Sequence, residues 1–202
     1  MTKPDYWQER YRTGNSPWDI GRPDANLTEM VEKRPIPSCK ALDVGCGTGD
    51  NAVWLARRGF TVTGTDFTQI AIQKAQENAA QAGVSCTFLR SDFMGQKIPG
   101  APFGFIFDRG CFHMFDSDQE RAELAQNVAA HLETGGLWLS ILGSADDPPR
   151  DPGPPQRTAR DIVVAAEPYF EILSLKSGHF DSNRSRPPRA WVCLMQKRDK
   201  PG

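Results

Sequence analysis

The 202-residue chain suits one globular domain with enough length to bury a real core. Lysine plus arginine number 24 against 25 aspartate plus glutamate, so a formal charge of -1 gives no overall steering towards nucleic acid or an anionic membrane. Hydrophobic residues at 39% and charged residues at 24% exclude the composition of a disordered chain.

The opening MTKPDYWQER lacks the apolar centre of a secretory signal, and the sequence holds no run of about 18 apolar residues, so the expected compartment is the cytosol, with no membrane partner. Five cysteines without CxxC spacing supply neither a disulfide framework nor a compact zinc set. They read as free thiols, and no metal is expected.

From Cys39 to Asp66 the pattern is strand (CKALDV), glycine turn (GCGTG), helix (DNAVWLARRG) and strand (FTVTGTD). A crossover helix between two strands makes them parallel. Thr68 is then expected to cap a second helix ending near Gly83, with CTFLR as the third strand. FGFIFD reads as a buried fourth strand. Ser117 and Glu120 form a capping box before a helix carrying Leu124, Val128 and Leu132, which Gly135 and Gly136 are expected to end. LWLSIL has the continuous apolar character of a central parallel strand. With five prolines, GSADDPPRDPGPPQR (Gly143 to Arg157) is expected to be an irregular rim loop. Thr158 and Asp161 open a short helix stopped around Pro168. FEILSL and RAWVCLMQ close the chain, separated by a polar loop from Gly178 to Arg189. The predicted class is α/β, a mostly parallel sheet flanked by helices.

Gly45, Gly47 and Gly49 follow a strand and open a helix, where glycines let backbone amides approach a ligand and the helix terminus favours negative charge. Asp66, 21 residues after Gly45 at the tip of the next strand, suits ribose hydroxyls and points to an adenosine-containing cofactor. The third glycine of GxGxxG is replaced by Asp50, which disfavours a dinucleotide, and the phosphate-loop pattern is absent. Asp92 and Asp108 add two carboxylates to the same edge. Asp92 suits an adenine amino group with Phe93 against the ring. Any one strand-end aspartate reads equally as a turn or capping residue; the constellation reads as a site.

The segment ALDVGCGTGDNAVWLARRGFTVTGTDFTQIAI resembles the cofactor half of class I S-adenosylmethionine-dependent methyltransferases. That resemblance implies a three-layer Rossmann-like sandwich with a seven-stranded, mostly parallel sheet and an antiparallel final strand. It implies S-adenosylmethionine as cofactor, S-adenosylhomocysteine as product, and contacts from Asp43, Gly45, Cys46, Gly47, Asp66, Phe67, Asp92, Phe93 and Asp108. YWQERYRTGNSPWDIGRPDANL, with ten residues between Trp7 and Trp18, and DRGCFHMFD further resemble the thiopurine methyltransferase-like superfamily. This implies one domain over 1–202 in which an arm, residues 1–38, covers cofactor and substrate. Trp7, Tyr11 and Trp18 are then cofactor contacts, and Gly14 and Ile20 cover residues. The shorter chain and the DRGCFH loop depart from the animal thiopurine enzymes, so a purine acceptor does not follow.

Methyl transfer needs an in-line lone pair, and positioning with water exclusion carries much of the catalysis. A thiol of pKa about 8.5 is already a few per cent thiolate near neutrality, so a strong base is not required. His113 is the residue best suited to act as acid or base, the alternative being loop packing; Asp108 is its catalytic partner or an orienting group. Trp18, Arg109, Cys111, Phe112, His113 and Arg157 form the expected substrate pocket, with Cys111 a buried thiol rather than a nucleophile. Arg150, Arg157, Arg184, Arg186 and Arg189 lie in the two long loops and read either as attractors of an acidic substrate or as solvated surface. The expected activity is methylation of a small thiol or other soft acceptor by a monomer without nucleic-acid partners. Alternatives are a small-molecule O-methyltransferase, a tellurite-resistance-like methyltransferase, and a non-enzymatic cofactor-binding module.

Overall fold

Two helices come first in the computed structural model, which describes residues 3–34, 36–148 and 153–199: α1 (Lys3–Arg12) and α2 (Ala25–Lys33). The sequence pattern there predicted no regular element. In α2 the Asp24 carboxylate caps the first turn by accepting from the Asn26 amide, and Leu27, Met30 and Val31 bury one face at helical spacing.

Strand and helix then alternate: β1 (Lys40–Val44), α3 (Asp50–Arg57), β2 (Thr61–Asp66), α4 (Gln69–Gln81), β3 (Thr87–Arg90), β4 (Phe103–Arg109), α5 (Asp118–His131), β5 (Leu132–Gly143), α6 (Ala159–Ala166), β6 (Phe170–His179) and β7 (Arg189–Lys197). The sheet order is β3-β2-β1-β4-β5-β7-β6, and among the described strands β7 alone runs antiparallel to its neighbours. Alternate residues of each strand face opposite helical layers. Ala41, Phe105, Phe107 and Leu139 pack with α2, α3 and α4, whereas Leu42, Ile106, Trp138 and Leu142 pack with α5 and α6. Each fully buried phenylalanine stabilises this sandwich by roughly 1.5–3 kcal/mol. The chain steps outward from β1 to β2 and β3, then returns to lay β4 on the other flank of β1. That reversal opens a crevice at the carboxyl ends of β1 and β4, where such sheets bind ligands.

Three local expectations are corrected. Thr68 precedes α4 without a side-chain cap; its hydroxyl donates to Asp66 instead, at 2.8 Å. Gly135 and Gly136 do not end α5, which stops at His131, but lie inside β5. A Cβ on Gly136 would sit 2.9 Å from the Glu133 carbonyl, so the glycine lets β5 swing in beside β4, where the register shifts. Strand β6 runs on through Gly178 to His179, shortening the predicted polar loop. Both capping boxes form as predicted, Ser117 with Glu120 and Thr158 with Asp161. Of the proline-rich loop, 149–152, including Arg150, lie outside the described residues. The rest is irregular, pinned by one bridge between Ser144 and Arg157.

Candidate active site

The floor of the crevice is backbone. Leaving β1, the chain turns through Gly45 and Gly47 at φ 66° and 54°, conformations that cost side-chain-bearing residues dearly. The Cys46 amide donates to the Thr65 carbonyl at 2.8 Å, which ties the turn to β2. The Gly47 amide donates to Asp66 at 3.2 Å, and Asp66 also takes the Thr68 amide and hydroxyl at 2.8 Å each. Burial raises the Asp66 pKa against these donors. Asp43, 1% exposed, lies one strand over, and its Oδ2 has no hydrogen-bond partner among the described residues. Burial, and then the charges of Asp108 and Asp66, push its pKa well above the ordinary range. A buried carboxylate oxygen without a donor calls for a cation or donor from outside the chain.

Phe67 is half-buried at the tip of β2. Asp92 is exposed past β3, and its Oδ1 accepts from the Met94 amide at 3.0 Å, a turn-closing role. Phe93 departs from expectation: its ring packs inward, 5.1 Å from His131, in the layer with α5, because the aromatic face gains more from burial than from the rim.

The roof is the segment before the sheet. Tyr11 is 5% exposed, and its hydroxyl lies 2.8 Å from where a Cβ on Gly47 would stand. That hydroxyl accepts from the Trp18 indole at 3.0 Å, and Trp7 meets Trp18 edge-on, centroids 4.7 Å apart. The guanidinium of Arg10 lies 5.3 Å from the Trp18 ring centroid, so one cation already engages that ring. Thr48 donates to Asp19 at 2.8 Å, and the Asp24 amide donates to Asn51 at 2.9 Å, clasping roof to floor. Between them lies a narrow cleft of about 50 Å³. Asp19, Asp24 and Asp50 line it; the sequence pattern did not single out Asp19 or Asp24, and Asp50 entered only as the replacement of the third glycine. The available signal was Asp24 directly ahead of the amphipathic run ANLTEMV.

On the β4 side, the Asp108 carboxylate, expected as a catalytic and cofactor contact, is bonded within the chain. One oxygen accepts the Cys111 and Phe112 amides at 3.1 and 3.2 Å, and the other accepts the Trp138 indole at 2.8 Å. With both oxygens turned into the protein, it shapes the loop. The Cys111 thiol donates to the Val44 carbonyl at 3.2 Å, and burial, then Asp108, keep it protonated. Phe112, 1% exposed, packs 6.1 Å from Trp138 and belongs to the core, not to a substrate wall.

His113 sits in a single 3-10 turn, Phe112–Met114. Its Nδ1 accepts from the Gly143 amide at 2.9 Å, which leaves the other ring nitrogen protonated. Burial, then the guanidinium charges of Arg157 and Arg109, pull its pKa down to about 3. The imidazole is a structural acceptor and a poor base. Arg157 holds the Asp116 carboxylate at 2.6 Å and the Phe115 and Gln156 carbonyls, so its fork is loop scaffolding. Arg189 likewise holds the Asp146 carbonyl and the Ser177 hydroxyl. Arg109 turns towards the roof: it bonds Asp24, the Trp18 carbonyl and the Asp181 carbonyl at 2.6, 3.1 and 2.7 Å.

Residues 41–136 match the family described as "Methyltransferase domain". The chain is 30% identical to probable thiol methyltransferase 2 of Arabidopsis thaliana, over 83% of this chain and 70% of that protein. It is equally 30% identical to 2-heptyl-1-hydroxyquinolin-4(1H)-one methyltransferase of Mycobacteroides abscessus, over 83% of this chain and 74% of that protein. A solved structure reported under "Conversion of a Disulfide Bond into a Thioacetal Group during Echinomycin Biosynthesis" superposes with a TM-score of 0.84 at 23% identity, covering 98% of this chain and 92% of that one. Two relatives at 30% identity, matched over 70% and 74% of their own lengths, settle the family, and the glycine turn and the reversed strand order agree with it. The chain belongs to the class I S-adenosylmethionine-dependent methyltransferases.

Proposed function

We propose that the acceptor is a small thiol or similarly soft nucleophile in the cytosol, methylated in a site floored by Gly45–Gly47 and roofed by the arm. S-adenosylmethionine supplies an electrophilic methyl on a sulfonium and leaves as S-adenosylhomocysteine. The residues fit such a ligand: Asp43 offers a buried oxygen without a partner among the described residues, and Asp66 stands at the strand tip beside a turn whose Gly45 and Gly47 carry no side chain of their own. Asp43 is assigned to the ammonium, Asp66 to the ribose hydroxyls, and Asp92 to the adenine edge. Tyr11 and Trp18 exclude water from above.

The observation that carries the soft-acceptor reading is that none of the groups expected on the acceptor side, His113, Cys111 and Asp108, stands ready as a base near neutrality. His113 binds a backbone amide through Nδ1 and takes up no second proton above a pH of about 3, the Cys111 thiol is kept protonated, and both Asp108 oxygens are engaged. The acceptor must bring its own ionisation, which favours a thiol of pKa about 8.5 over an aliphatic alcohol. The Arabidopsis relative named as a thiol methyltransferase supports this reading. The Mycobacteroides relative supports a second one, an acidic hydroxyl acceptor.

The test is transfer of labelled methyl to a panel of thiols, acidic hydroxyls, carboxylates and chalcogen oxyanions. Turnover with thiols is expected to rise with pH along each thiol's own titration. Product from hydroxyls or carboxylates alone reverses the order, and cofactor binding without any product favours an interaction module.

A further inference from the structure

We propose that Arg109 is a positioning residue, the latch that holds the arm closed over the cofactor site, and not a contact to the acceptor. The proposal rests on the reading that the arm roofs the cofactor. Arg109 ends β4, directly after Asp108, so its backbone is fixed by the centre of the sheet. Its guanidinium reaches three separate places. The Nε donates to Asp24 Oδ2 at 2.6 Å, Nη1 to the Trp18 carbonyl at 3.1 Å and Nη2 to the Asp181 carbonyl at 2.7 Å. Phe180 lies beneath it, with its centroid 5.2 Å from the guanidinium carbon. One fork therefore joins the arm at two points to the β6–β7 loop.

Burial makes this pair decisive. The Asp24 side chain is 0% exposed and that of Arg109 is 11% exposed. Removing either partner strands a charge out of water, the situation in which ion pairs have large effects. A second clasp between the same two regions, Arg22 with Asp181 at 2.6 Å, is 44% and 18% exposed and so contributes far less. Asp24 is itself held by the Asn26 amide and side chain and by the Asp181 amide, so the carboxylate stands ready for the fork. Lysine cannot replace this arrangement: a point charge would meet Asp24 but lose the bonds to the Trp18 and Asp181 carbonyls. Because the strand that ends in Arg109 runs on into the turn carrying Cys111 and His113, closure over the cofactor and order on the acceptor side share one residue.

The experiment compares wild type, Arg109→Lys, Asp24→Asn and the double variant by amide hydrogen exchange without ligand, calorimetry with S-adenosylhomocysteine, and acceptor KM at saturating S-adenosylmethionine. The side-chain amide introduced by Asp24→Asn retains a capping oxygen for α2, so this variant stays informative where Arg109→Lys folds poorly. Each single variant is expected to speed exchange in residues 11–24 and to weaken S-adenosylhomocysteine by about tenfold. Protection in β1 and β5 stays at wild-type level, acceptor KM moves by less than about twofold, and the double variant matches the worse single. An unchanged arm with a raised acceptor KM overturns the proposal in favour of substrate contact. Uniform loss of protection with unchanged affinity in the folded fraction overturns it in favour of a merely structural role. If the wild type binds no S-adenosylhomocysteine, the cofactor reading fails by itself, and the exchange data still decide whether Arg109 latches the arm.

Discussion

The glycine turn and the arm face each other across one cleft and are held by opposite means. The turn is backbone: the Cys46 amide meets Thr65, the Gly47 amide meets Asp66, and the conformation is written into two glycines with positive φ. The arm is fixed by side chains reaching far along the chain, Asp19 to Thr48, Asp24 to Arg109 and Tyr11 to the surface of Gly47. The first leans on the adjacent strand β2 and on glycine backbone conformation, and is built to stay. The second depends on a few polar pairs whose loss would let it open. Substitutions in the turn should therefore abolish binding, whereas substitutions in the arm should tune it.

Gly47→Val is the harshest test of that contrast. A branched side chain at φ 54° costs about 1–2 kcal/mol in backbone strain, and its Cβ runs into the Tyr11 hydroxyl. S-adenosylhomocysteine affinity should fall by at least about a hundredfold in calorimetry, equivalent to about 2.7 kcal/mol. Wild-type affinity in a folded Gly47→Val protein would remove the turn from the site. Asp66→Asn comes next. Asparagine keeps an acceptor for the Thr68 amide but loses the ionised oxygens assigned to the ribose, so affinity should drop by about thirtyfold, the scale of one charged hydrogen bond. An unchanged affinity would move the sugar elsewhere.

The same contrast explains what could be read from the sequence. The turn and its flanking strands were legible because glycine spacing, strand patterning and crossover all lie within Cys39–Asp66. The two capping boxes were legible for the same reason, each being a four-residue signature. Thr68 had the right residue type for a cap, but the neighbouring Asp66 carboxylate took its hydroxyl first. The inward turn of Asp108, Phe93 and Phe112 was not legible because position along a strand end does not say which way a side chain points; core partners such as Trp138 and His131 decided it. The pairing of Arg109 with Asp24 joins residues far apart in sequence and has no local signature at all.

His113 sharpens the comparison from the acceptor side, where it should govern stability rather than binding. Its pKa falls from 6.5 to about 3 on folding. The unfolded chain thus binds the extra proton between those values and the folded one does not, so stability is complete above pH 6.5 and is lost as pH falls towards 3. Between about pH 7 and pH 5 the loss from this group is about 2 kcal/mol. Urea unfolding of His113→Asn should show a shallower decline by that amount. Burial raises the pKa of Asp43, Asp66 and Asp108, which gives contributions of opposite sign that cancel between the two proteins. Parallel stability curves would show that the ring titrates in the folded protein as it does in the unfolded chain, and with it the case against a protein base would fall.

Tyr11→Phe carries the smallest expected effect and probes the arm alone. The ring and its burial remain, and only the hydroxyl that accepts from Trp18 and lies against Gly47 is removed. Trp18 is half-buried, so its indole finds water as a substitute, and stability should fall by about 1 kcal/mol or less. Because the roof stays in place, S-adenosylhomocysteine affinity should weaken by only about threefold, far less than for either turn variant. Equal losses from Tyr11→Phe and Gly47→Val would mean that the hydroxyl itself contacts the ligand, and the arm would then share the floor's role instead of tuning it.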